Sequence, residues 1–448
     1  MVRKPVTTRT GRFFKLAGMT ASVAGQYAGQ RARRMLRTEN DEGAQSESYT
    51  RMAGQIADTL GELKGAVMKV GQIASQTQDF LPREFSEALE KLQKEAPPMP
   101  FEVIVEQIES ELGKPLGELY EYVQEAPYAS ASIGQVHRAR LHDGTDVIVK
   151  VQYPGVDESC DSDLKQLRMT LRLGGLLKMP KESVDQLFAE IRERLREELD
   201  YENEARNIQL FRDFHKDQPW VLIPAVIESH STRRVLTLEL VEGDHVSKVT
   251  PDRYDQDTIN LIGHRIFMIM ADQLFRFRCI HGDPHAGNFA YRPDGSIVLY
   301  DFGCVKKLKP EIVEAYRKAL VAALQEDYEA LDQHLIDLGA RVGSQPAVDE
   351  AYYAMWRDIL IVPFQGDEPY DFAEADIHKH VAAKTSTVFK YLDYFKPPVE
   401  SIFIDRMIAG HYWMLKRLGV QAAFRTELEK YLKMGSDEGV HLTPEGSA

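Results

Sequence analysis

The feature that most constrains the fold of this chain is a polar stretch, His281-Gly-Asp-Pro-His-Ala-Gly-Asn288, together with a later triplet, Asp301-Phe-Gly303. Between the two, Pro293-Asp-Gly295 separates short apolar runs, and this pattern predicts a β-hairpin. A loop, a hairpin and a second loop would bring the polar side chains at both ends to one place. The segment therefore predicts a polar site organised by a hairpin.

Three side chains of this segment, Asp283, Asn288 and Asp301, have the spacing of a phosphoryl-transfer site. That chemistry needs an acid beside the acceptor, together with an Asn and an Asp that hold Mg²⁺. The first two lie five residues apart, as in the kinase catalytic loop, and Asp-Phe-Gly is the kinase metal-binding triplet. We therefore predict that Asp283 is catalytic, that Asn288 and Asp301 bind Mg²⁺, and that the nucleotide is ATP.

Two simpler interpretations of the same segment remain. His281, Asp283 and His285 could form a mononuclear metal site, since imidazole and carboxylate suit transition metals. The sequence offers no obvious fourth ligand for such a site. Alternatively, the segment is a structural turn rich in Gly and Pro, with solvated acids. The kinase interpretation is favoured because it also accounts for the downstream triplet.

Upstream, two segments have the order of a kinase N-lobe: a loop of small residues that enters a strand, then a β-branched strand, Thr145–Gln152, that carries Lys150. Small residues let backbone N–H groups approach phosphates. A solvated lysine would be the simplest explanation of Lys150 taken alone, but its neighbours in the sequence favour a phosphate contact. The nucleotide contacts predicted in this lobe are Ala129, Ser130, Ala131, Ser132 and Lys150.

A kinase fold also requires a glutamate on a helix that pairs with the strand lysine. The charged segment Leu187–Ile208 is predicted to be one long helix. Within it we choose Glu198 as the catalytic partner of Lys150.

The segment Val235–Gly243 has the pattern of a buried strand that passes into a hinge. Glu239 and Val241, at its end, are predicted to contact the nucleotide. A helix over Thr258–Arg278 is then predicted to lead into the polar stretch.

A helical pattern begins at Tyr49 and carries Lys69-Val-Gly-Gln72. Lys69 and Gln72 share one face of that helix because they are three residues apart, while Gly71 permits close approach of another backbone. The plainer alternative is that Lys69 extends to solvent.

The chain is acidic overall, but its N-terminus is basic. The net charge of −14 argues against nucleic-acid binding. Residues 1–38, by contrast, hold nine Lys and Arg and no acid. Three interpretations of this segment remain open: an interfacial helix drawn to anionic lipid, an Arg-rich transit peptide, or a disordered basic tail. Three widely spaced cysteines argue against a disulfide framework, and no apolar run is long enough to span a membrane.

Four motifs, taken in order, resemble the UbiB/AarF-type atypical kinase family, kinase-like proteins tied to ubiquinone biosynthesis. They are Lys69-Val-Gly-Gln72, Ser132-Ile-Gly-Gln-Val-His137, Glu198-Leu-Asp200, and His281 to Asn288 with Asp301-Phe-Gly303. The resemblance implies that Lys69 and Gln72 lie at the active-site mouth and contact the nucleotide. It also implies a Mg²⁺-dependent ATPase that supports quinone-lipid metabolism at a membrane.

The fold class predicted from these patterns is α+β, a two-lobed protein-kinase-like fold with an added N-terminal helical extension. The N-lobe is small and β-rich, and the C-lobe is helical. The predicted divisions are a basic tail and linker over 1–48, the extension over 49–120, the N-lobe over 121–242, the C-lobe over 243–434 and a flexible tail over 435–448.

Two other functions remain open: a small-molecule phosphotransferase of the aminoglycoside or choline kinase type, and a nucleotide-binding scaffold without turnover. The expected partners are ATP, an anionic lipid membrane, and the proteins or lipids of quinone biosynthesis. The expected location is the cytoplasm, at a membrane surface, or a mitochondrion or plastid if the source is eukaryotic.

Overall fold

The structure, a computed structural model, describes residues 9–36, 50–56, 59, 87, 98–130, 133–173 and 181–433. The predicted site residues Lys69, Gln72, Ala131 and Ser132 lie outside these ranges. The chain divides into two compact units. The first unit comprises Met1–Arg206 and Ala225–Leu240, and the second comprises Asn207–Pro224 and Val241–Ala448.

The first unit contains an antiparallel sheet with the strand order β1-β3-β4-β6, in which β2 also pairs with β3. Its strands are β1 (Tyr122–Val123), β2 (Ala129–Ser130), β3 (Gly134–Arg140), β4 (Asp146–Gln152) and β6 (Val235–Glu239). Along β4 the three valines are buried, whereas Ile148 and Lys150 are partly exposed. This alternation gives β4 one sealed face and one accessible face, and it confirms the predicted strand that carries Lys150.

The described helices of the first unit are α1 (Arg9–Leu36), α2 (Phe101–Leu112), α3 (Leu116–Leu119), α4 (Val156–Leu173), α5 (Lys181–Glu198) and the start of α6 (Tyr201–Phe214). Residues 50–56 are also helical. Helix α2 is capped by Gly113, which follows its last residue and has a φ of +69°, the left-handed conformation that glycine favours. The unit boundary falls within α6, since residues 201–206 belong to the first unit and 207–214 to the second.

Helix α1 packs against α4. Its buried apolar stripe consists of Leu16, Met19 and Val23. Arg12 donates from Nε to a carboxylate oxygen of Asp163 on α4 (2.9 Å), and the hydroxyl oxygens of Thr20 and Thr170 lie 2.6 Å apart. The basic N-terminal segment is therefore a helix over residues 9–36, not a disordered tail there. Its apolar stripe faces the protein, so the stripe is not left for a lipid surface.

The charged segment predicted as one helix over Leu187–Ile208 is in fact two helices. Helix α5 ends at Glu198, and α6 begins at Tyr201. Between them, Asp200 accepts a hydrogen bond from the backbone N–H of Asn203 (2.9 Å), which is the bond that an N-cap residue makes. The break changes the helical phase, and so it changes which glutamate faces the sheet.

The second unit is mainly helical in its described part. Its strands are β5 (Val221–Leu222), β7 (Cys279–His281), β8 (Phe289–Tyr291), β9 (Ile297–Leu299), β10 (Val305–Lys307), β11 (Tyr370–Asp371) and β12 (Gln421–Ala422). Its complete helices are α7 (Gln256–Ala271), α8 (Pro310–Gln325), α9 (Tyr328–Asp337), α10 (Glu350–Leu360), α11 (Ile377–Ala383), α12 (Thr385–Lys390), α13 (Val399–Leu418) and α14 (Arg425–Lys433). The sheets are small: β5-β9-β8, β7 with β10, and β11 with β12.

The predicted hairpin is present in the second unit. Strands β8 and β9 are antiparallel, with Phe289 opposite Leu299, and Gly295 in the turn has a φ of +80°. The predicted helix before the polar stretch is α7, which continues as a π-helical turn over Asp272–Arg276. Both predictions are confirmed, and together they place the polar stretch between β7 and β8.

Two bulk predictions can be compared with the structure. None of the described helices combines the length and the apolarity needed to cross a bilayer. Cys160, Cys279 and Cys304 are free cysteines. Burial raises the pKa of the Cys160 and Cys279 thiols to about 12, so both are inert thiols near neutral pH.

Candidate active site

The loop that carries Asp283, residues 282–288, is called the catalytic loop below. It follows His281, which ends β7 and is almost fully buried. The Nε2 of His281 donates to the carbonyl oxygen of Asp301 (2.5 Å), and its backbone N–H donates to Oε1 of Gln273 (2.9 Å). His281 thereby ties the start of the catalytic loop to the Asp-Phe-Gly triplet.

Asn288 closes the catalytic loop. Its Nδ2 donates to the carbonyl oxygen of Asp283 (3.0 Å), and its own carbonyl oxygen accepts from the N–H of Tyr300 (2.9 Å). Because the amide nitrogen is committed to the loop, the amide oxygen is the atom that can serve as a metal ligand. Asn288 thus connects Asp283 to the strand that precedes Asp301.

Asp301 has a φ of +56°, in the left-handed region that non-glycine residues seldom adopt. Its Oδ1 accepts from the N–H of Gly303 (3.1 Å), which closes a local turn. The next residue, Phe302, is buried, and its ring centroid lies 5.5 Å from that of His281 and 5.0 Å from that of Phe211. The buried ring therefore holds the exposed acid in a strained backbone conformation.

The structure brings Asp283, Asn288 and Asp301 into one hydrogen-bonded assembly of the second unit. The two acids are exposed, and Asn288 is partly exposed. The histidines nearby are otherwise engaged, since His285 accepts at Nδ1 from the N–H of Gly287 (2.9 Å). The part of the chain that the structure describes holds no group of three or more His, Cys, Asp or Glu placed to bind a metal. The mononuclear metal site is therefore not supported.

In the first unit, Lys150 pairs with Glu204. Its Nζ lies 2.9 Å from both carboxylate oxygens of Glu204 and 5.1 Å from the centre of the Tyr201 ring. The predicted pairing of Lys150 with Glu198 was therefore wrong. Glu198 is the last residue of α5, whereas Glu204 lies inside α6, past the break at Asp200.

A signal for Glu204 was present in the sequence. The buried positions of α6 and the residue just beyond it repeat at intervals of three and four, which is the spacing of one helix face. They are Tyr201, Glu204, Ile208, Phe211 and His215. A carboxylate within such a stripe must be paired, because an unpaired buried charge is costly. This pattern identifies Glu204 only if α6 is known to begin after an N-cap at Asp200, because the helix start sets which residues share the buried face.

Two of the four predicted phosphate-loop residues, Ala129 and Ser130, form the strand β2 opposite Val136 and Gln135. Because these two residues form a short strand paired with β3, the prediction of a loop was wrong at these two positions. Gly134, which begins β3, lies against the neighbouring strand, because an added Cβ would be 2.3 Å from the carbonyl oxygen of Val151. The glycine therefore permits this close approach.

The predicted hinge contacts lie in different units. Glu239 ends β6 in the first unit, where it is exposed and its N–H donates to the carbonyl oxygen of Ala225 (2.9 Å). Val241 begins a segment of the second unit, and its carbonyl oxygen accepts from the hydroxyl of Tyr300 (2.7 Å). Sequence reasoning missed Tyr300. Its N–H donates to the carbonyl oxygen of Asn288, and its hydroxyl donates to that of Val241.

The donor set of the second unit fits Mg²⁺. This ion prefers oxygen ligands and is usually held by one or two carboxylates, with water and substrate phosphates completing its shell. Asp301 offers an exposed carboxylate, and Asn288 offers an amide oxygen in the same hydrogen-bonded assembly. Both residues would hold the ion at the solvent-facing side of the catalytic loop.

The first unit holds a sheet with a Lys–Glu pair, and the second holds a catalytic loop, a hairpin and an Asp-Phe-Gly triplet. These are the parts of a protein-kinase-like protein. Residues 91–335, more than half of the chain, match the ABC1 atypical kinase-like domain. The chain therefore belongs to the ABC1 atypical kinase-like family. This result confirms both the predicted two-lobed fold and the resemblance to UbiB/AarF-type kinases.

Several named proteins are similar along most of this chain. The "Probable serine/threonine-protein kinase abkA" of Dictyostelium discoideum is 30% identical over 92% of this chain and 77% of its own length. The "Atypical kinase COQ8, mitochondrial" of Saccharomyces cerevisiae is 29% identical over 92% of this chain and 82% of its own. A solved structure from Mycobacterium tuberculosis, of Rv3197 with erythromycin, has a TM-score of 0.63 at 29% identity and covers 89% of this chain and 99% of its own.

Proposed function

We propose that this protein is a Mg²⁺-dependent, ATP-binding phosphotransferase or ATPase. The observation that carries the proposal is the strained backbone of the exposed Asp301, within a triplet that His281 ties to the catalytic loop. Such strain persists only where the surrounding structure imposes it, and it clusters at functional sites. Membership of an atypical kinase-like family supports the same activity.

Each polar residue has a role in the proposed reaction. Asp283 would accept the proton of the attacking hydroxyl or water. Lys150, oriented by Glu204, would bind phosphate oxygens as a point charge. Asn288 and Asp301 would hold Mg²⁺, which when bound neutralises the charge that develops on the transferred group.

The remaining predicted nucleotide contacts complete this proposal. Residues 129–132 would approach the phosphates through the backbone, and Glu239 and Val241 would contact the base. Lys69 and Gln72 would act at the mouth of the site. Ile148 lies on the same face of β4 as Lys150, so its side chain would border the nucleotide.

The biological setting that we propose is the support of quinone-lipid biosynthesis or membrane lipid handling. Similar proteins include yeast "Atypical kinase COQ8, mitochondrial" and Arabidopsis thaliana "Protein ACTIVITY OF BC1 COMPLEX KINASE 7, chloroplastic", the latter 34% identical over 64% of this chain and 42% of its own length. We propose action at a membrane surface in a bacterial cytoplasm, or in the corresponding organelle of a eukaryote. The partners would be quinone-biosynthesis proteins or lipids.

The test compares wild-type protein with Asp301→Asn in calorimetric titrations with Mg·ATP and in phosphate-release assays. Asn tolerates a positive φ, so the variant removes charge with little backbone penalty. The matched control is Asp294→Asn in the hairpin turn. We expect Asp301→Asn to lose binding or hydrolysis and the control to retain both; equal values for all three proteins would refute the proposal.

The same experiment separates the two alternatives. A scaffold would bind Mg·ATP without releasing phosphate above the Asp301→Asn background. A small-molecule phosphotransferase of the choline or aminoglycoside type would transfer phosphate to choline or kanamycin in preference to water.

A further inference from the structure

The helix that leads into the catalytic loop does not stay α-helical to its end. After α7 the chain makes the π-helical turn Asp272–Arg276, in which the N–H of Phe277 donates to the carbonyl oxygen of Asp272 (2.8 Å). Short π-helical segments are rare and occur frequently at functional sites. This segment, called the π turn below, packs against β7, the strand that ends at His281.

Two consecutive side chains of the π turn are polar and buried: Asp272 is 3 % exposed and Gln273 is 1 % exposed. Buried polar groups of this kind need hydrogen-bond partners. Asp272 accepts from Nε2 of Gln218 (2.8 Å) and from the hydroxyl of Tyr431 on α14 (3.1 Å). The Oε1 of Gln273 instead accepts from the N–H of His281 (2.9 Å). The π turn therefore connects α14 to the start of the catalytic loop.

Gln273 satisfies a backbone group that the neighbouring strand does not reach. Residues along an antiparallel pair alternate between positions that bond to the partner strand and positions that do not. The N–H of Gly282 donates to the carbonyl oxygen of Cys304 (2.7 Å), so His281, opposite Val305, occupies a non-bonding position. Without the glutamine oxygen, the N–H of His281 would lose its acceptor in a buried place, where backbone groups are seldom unpaired.

His281 transmits its position to two residues of the candidate active site. Its Nε2 donates to the carbonyl oxygen of Asp301 (2.5 Å), so the ring fixes the triplet. Its backbone leads within two residues to Asp283. A displacement of His281 would therefore move both the proposed catalytic acid and a proposed Mg²⁺ ligand.

We propose that Gln273 and Tyr431 are positioning residues for the catalytic loop. Gln273 fixes His281 directly, and Tyr431 fixes the π turn through Asp272. The expected effect on Mg²⁺ rests on the proposed function, in which Asp301 holds that ion. Both residues act through others, and neither is assigned a contact with substrate or metal.

The first test compares Gln273→Leu with Gln273→Glu. Leucine removes the acceptor and keeps an apolar side chain in the buried place. Glutamic acid keeps an acceptor oxygen, because burial favours the neutral form of a carboxyl group. We expect the Mg²⁺ concentration for half-maximal ATP hydrolysis to rise about fivefold in Gln273→Leu, as loss of one hydrogen bond would cause. Gln273→Glu should restore most of the wild-type dependence.

The second test is Tyr431→Phe, which removes only the hydroxyl. Its matched control is Tyr353→Phe, since Tyr353 is also buried and also donates to an aspartate, Asp332. Tyr353 belongs to a different hydrophobic cluster from Leu274 of the π turn and Ile280 of β7. We expect Tyr431→Phe to raise the half-maximal Mg²⁺ concentration about twofold and the control to leave it unchanged.

A double variant tests whether the two residues act through the same turn. Residues coupled through shared contacts have non-additive effects, whereas independent residues have additive ones. Adding Tyr431→Phe to Gln273→Leu should therefore raise the Mg²⁺ requirement no further. A doubling on top of the effect of Gln273→Leu would overturn the proposed route from α14 through the π turn.

A third measurement does not depend on activity. Hydrogen exchange of the backbone amides of residues 281–288 and 300–303 reports local opening of the loop and the triplet. Without nucleotide, exchange there should be faster in Gln273→Leu and, to a smaller extent, in Tyr431→Phe. It should match wild type in Gln273→Glu and in Tyr353→Phe. Melting curves of all variants measure stability separately.

A purely structural role would lower the melting temperature of Gln273→Leu without changing its Mg²⁺ dependence or the exchange of these amides, and this result would overturn the inference. Equal behaviour of Tyr431→Phe and Tyr353→Phe would remove Tyr431 from it. Binding of Mg·ATP is measured on the same samples. Its absence in wild type would refute the proposed function, while the exchange data would still decide whether Gln273 positions the loop.

Discussion

Two ion pairs of the first unit are alike in geometry but differ in access. Arg12 and Asp163 join α1 to α4, with side chains only 2 % and 1 % exposed. Lys150 and Glu204 join β4 to α6, with the glutamate 2 % exposed but the lysine 15 % exposed. In the first pair, which we call the sealed pair, neither side chain is accessible to solvent. In the second, which we call the open pair, the lysine is accessible.

We propose that this difference distinguishes a pair that only stabilises the fold from a pair that also binds a ligand. A sealed pair can contribute only to stability, since nothing outside the protein can replace either partner. An open lysine that a buried carboxylate holds in place can bind an external anion without leaving its partner. Solvent access to one member of a pair is therefore a better guide to function than the strength of the pair.

The largest effect is expected from a substitution that breaks the sealed pair of Arg12 and Asp163. Asp163→Ala would remove the buried carboxylate that pairs with Arg12, and breaking a buried pair costs about 3–5 kcal/mol in comparable cases. We expect a clear loss of thermal stability with little change in Mg·ATP affinity in the protein that remains folded. Melting curves and calorimetry on the same preparation measure both quantities.

The control for this change is Asp161→Ala. Asp161 pairs with Arg192 and Arg196 on the surface, where all three side chains are well exposed. Such pairs contribute about 0–1 kcal/mol, so the control should melt almost like wild type. Equal destabilisation by both changes would mean that the buried pair has no special role.

A second test extends the comparison to His411, a buried group that forms no ion pair with the residues that the structure describes. Burial lowers the pKa of His411 in α13 to about 4, and its Nδ1 bonds to the carbonyl oxygen of Met407 (2.7 Å). Because the pKa is depressed on folding, the stabilisation is fully present above the unfolded value of about 6.5 and is lost as the pH falls towards 4.

The corresponding variant is His411→Met, which removes the titrating group and keeps an apolar side chain. At about pH 5 the wild type should have lost on the order of 2 kcal/mol through this residue, and the variant none. Melting temperatures between pH 7 and pH 5 should therefore fall more steeply for the wild type. Parallel slopes would show that folding does not depress the pKa of His411.

The open pair is tested by Glu204→Gln, which keeps the size of the side chain and removes its charge. We expect Mg·ATP affinity to fall about tenfold, because Lys150 loses the carboxylate that orients it, a change of about 1.4 kcal/mol. The melting temperature should change less than in Asp163→Ala. An unchanged affinity would contradict the functional reading of this pair.

The smallest expected effect comes from Glu198→Gln. This residue ends α5 and is partly exposed, so its neutralisation should change Mg·ATP affinity by less than about twofold. Calorimetry beside Glu204→Gln provides the comparison. A larger loss in Glu198→Gln than in Glu204→Gln would return the orienting role to Glu198.

The sequence predicted the second unit better than the first, and the reason is the range of the interactions. The hairpin after the catalytic loop depends on Pro293-Asp-Gly295, a local turn whose chemistry can be read directly. The spacing of Asp283 and Asn288 is also local, and one loop sets it. Such features need no knowledge of distant partners.

The partner of Lys150 could not be predicted in the same way. Glu198 and Glu204 are both helical glutamates, and only the break at Asp200 decides which one faces the sheet. The docking of α1 on α4 was missed because Arg12 and Asp163 are far apart in the sequence. A basic segment shows its charge, but it does not show the buried acid that neutralises it.

The left-handed backbone of Asp301 has a consequence for mutational tolerance. At a φ of +56°, Asp, Asn and Gly can be accommodated, whereas β-branched side chains meet steric conflict. In a saturation screen, most replacements at this position would thus fail for two superimposed reasons, backbone strain and lost charge. Only Asn and Gly would show the effect of losing the carboxylate without added backbone strain. An alanine substitution at Asp301 would therefore mix the two effects.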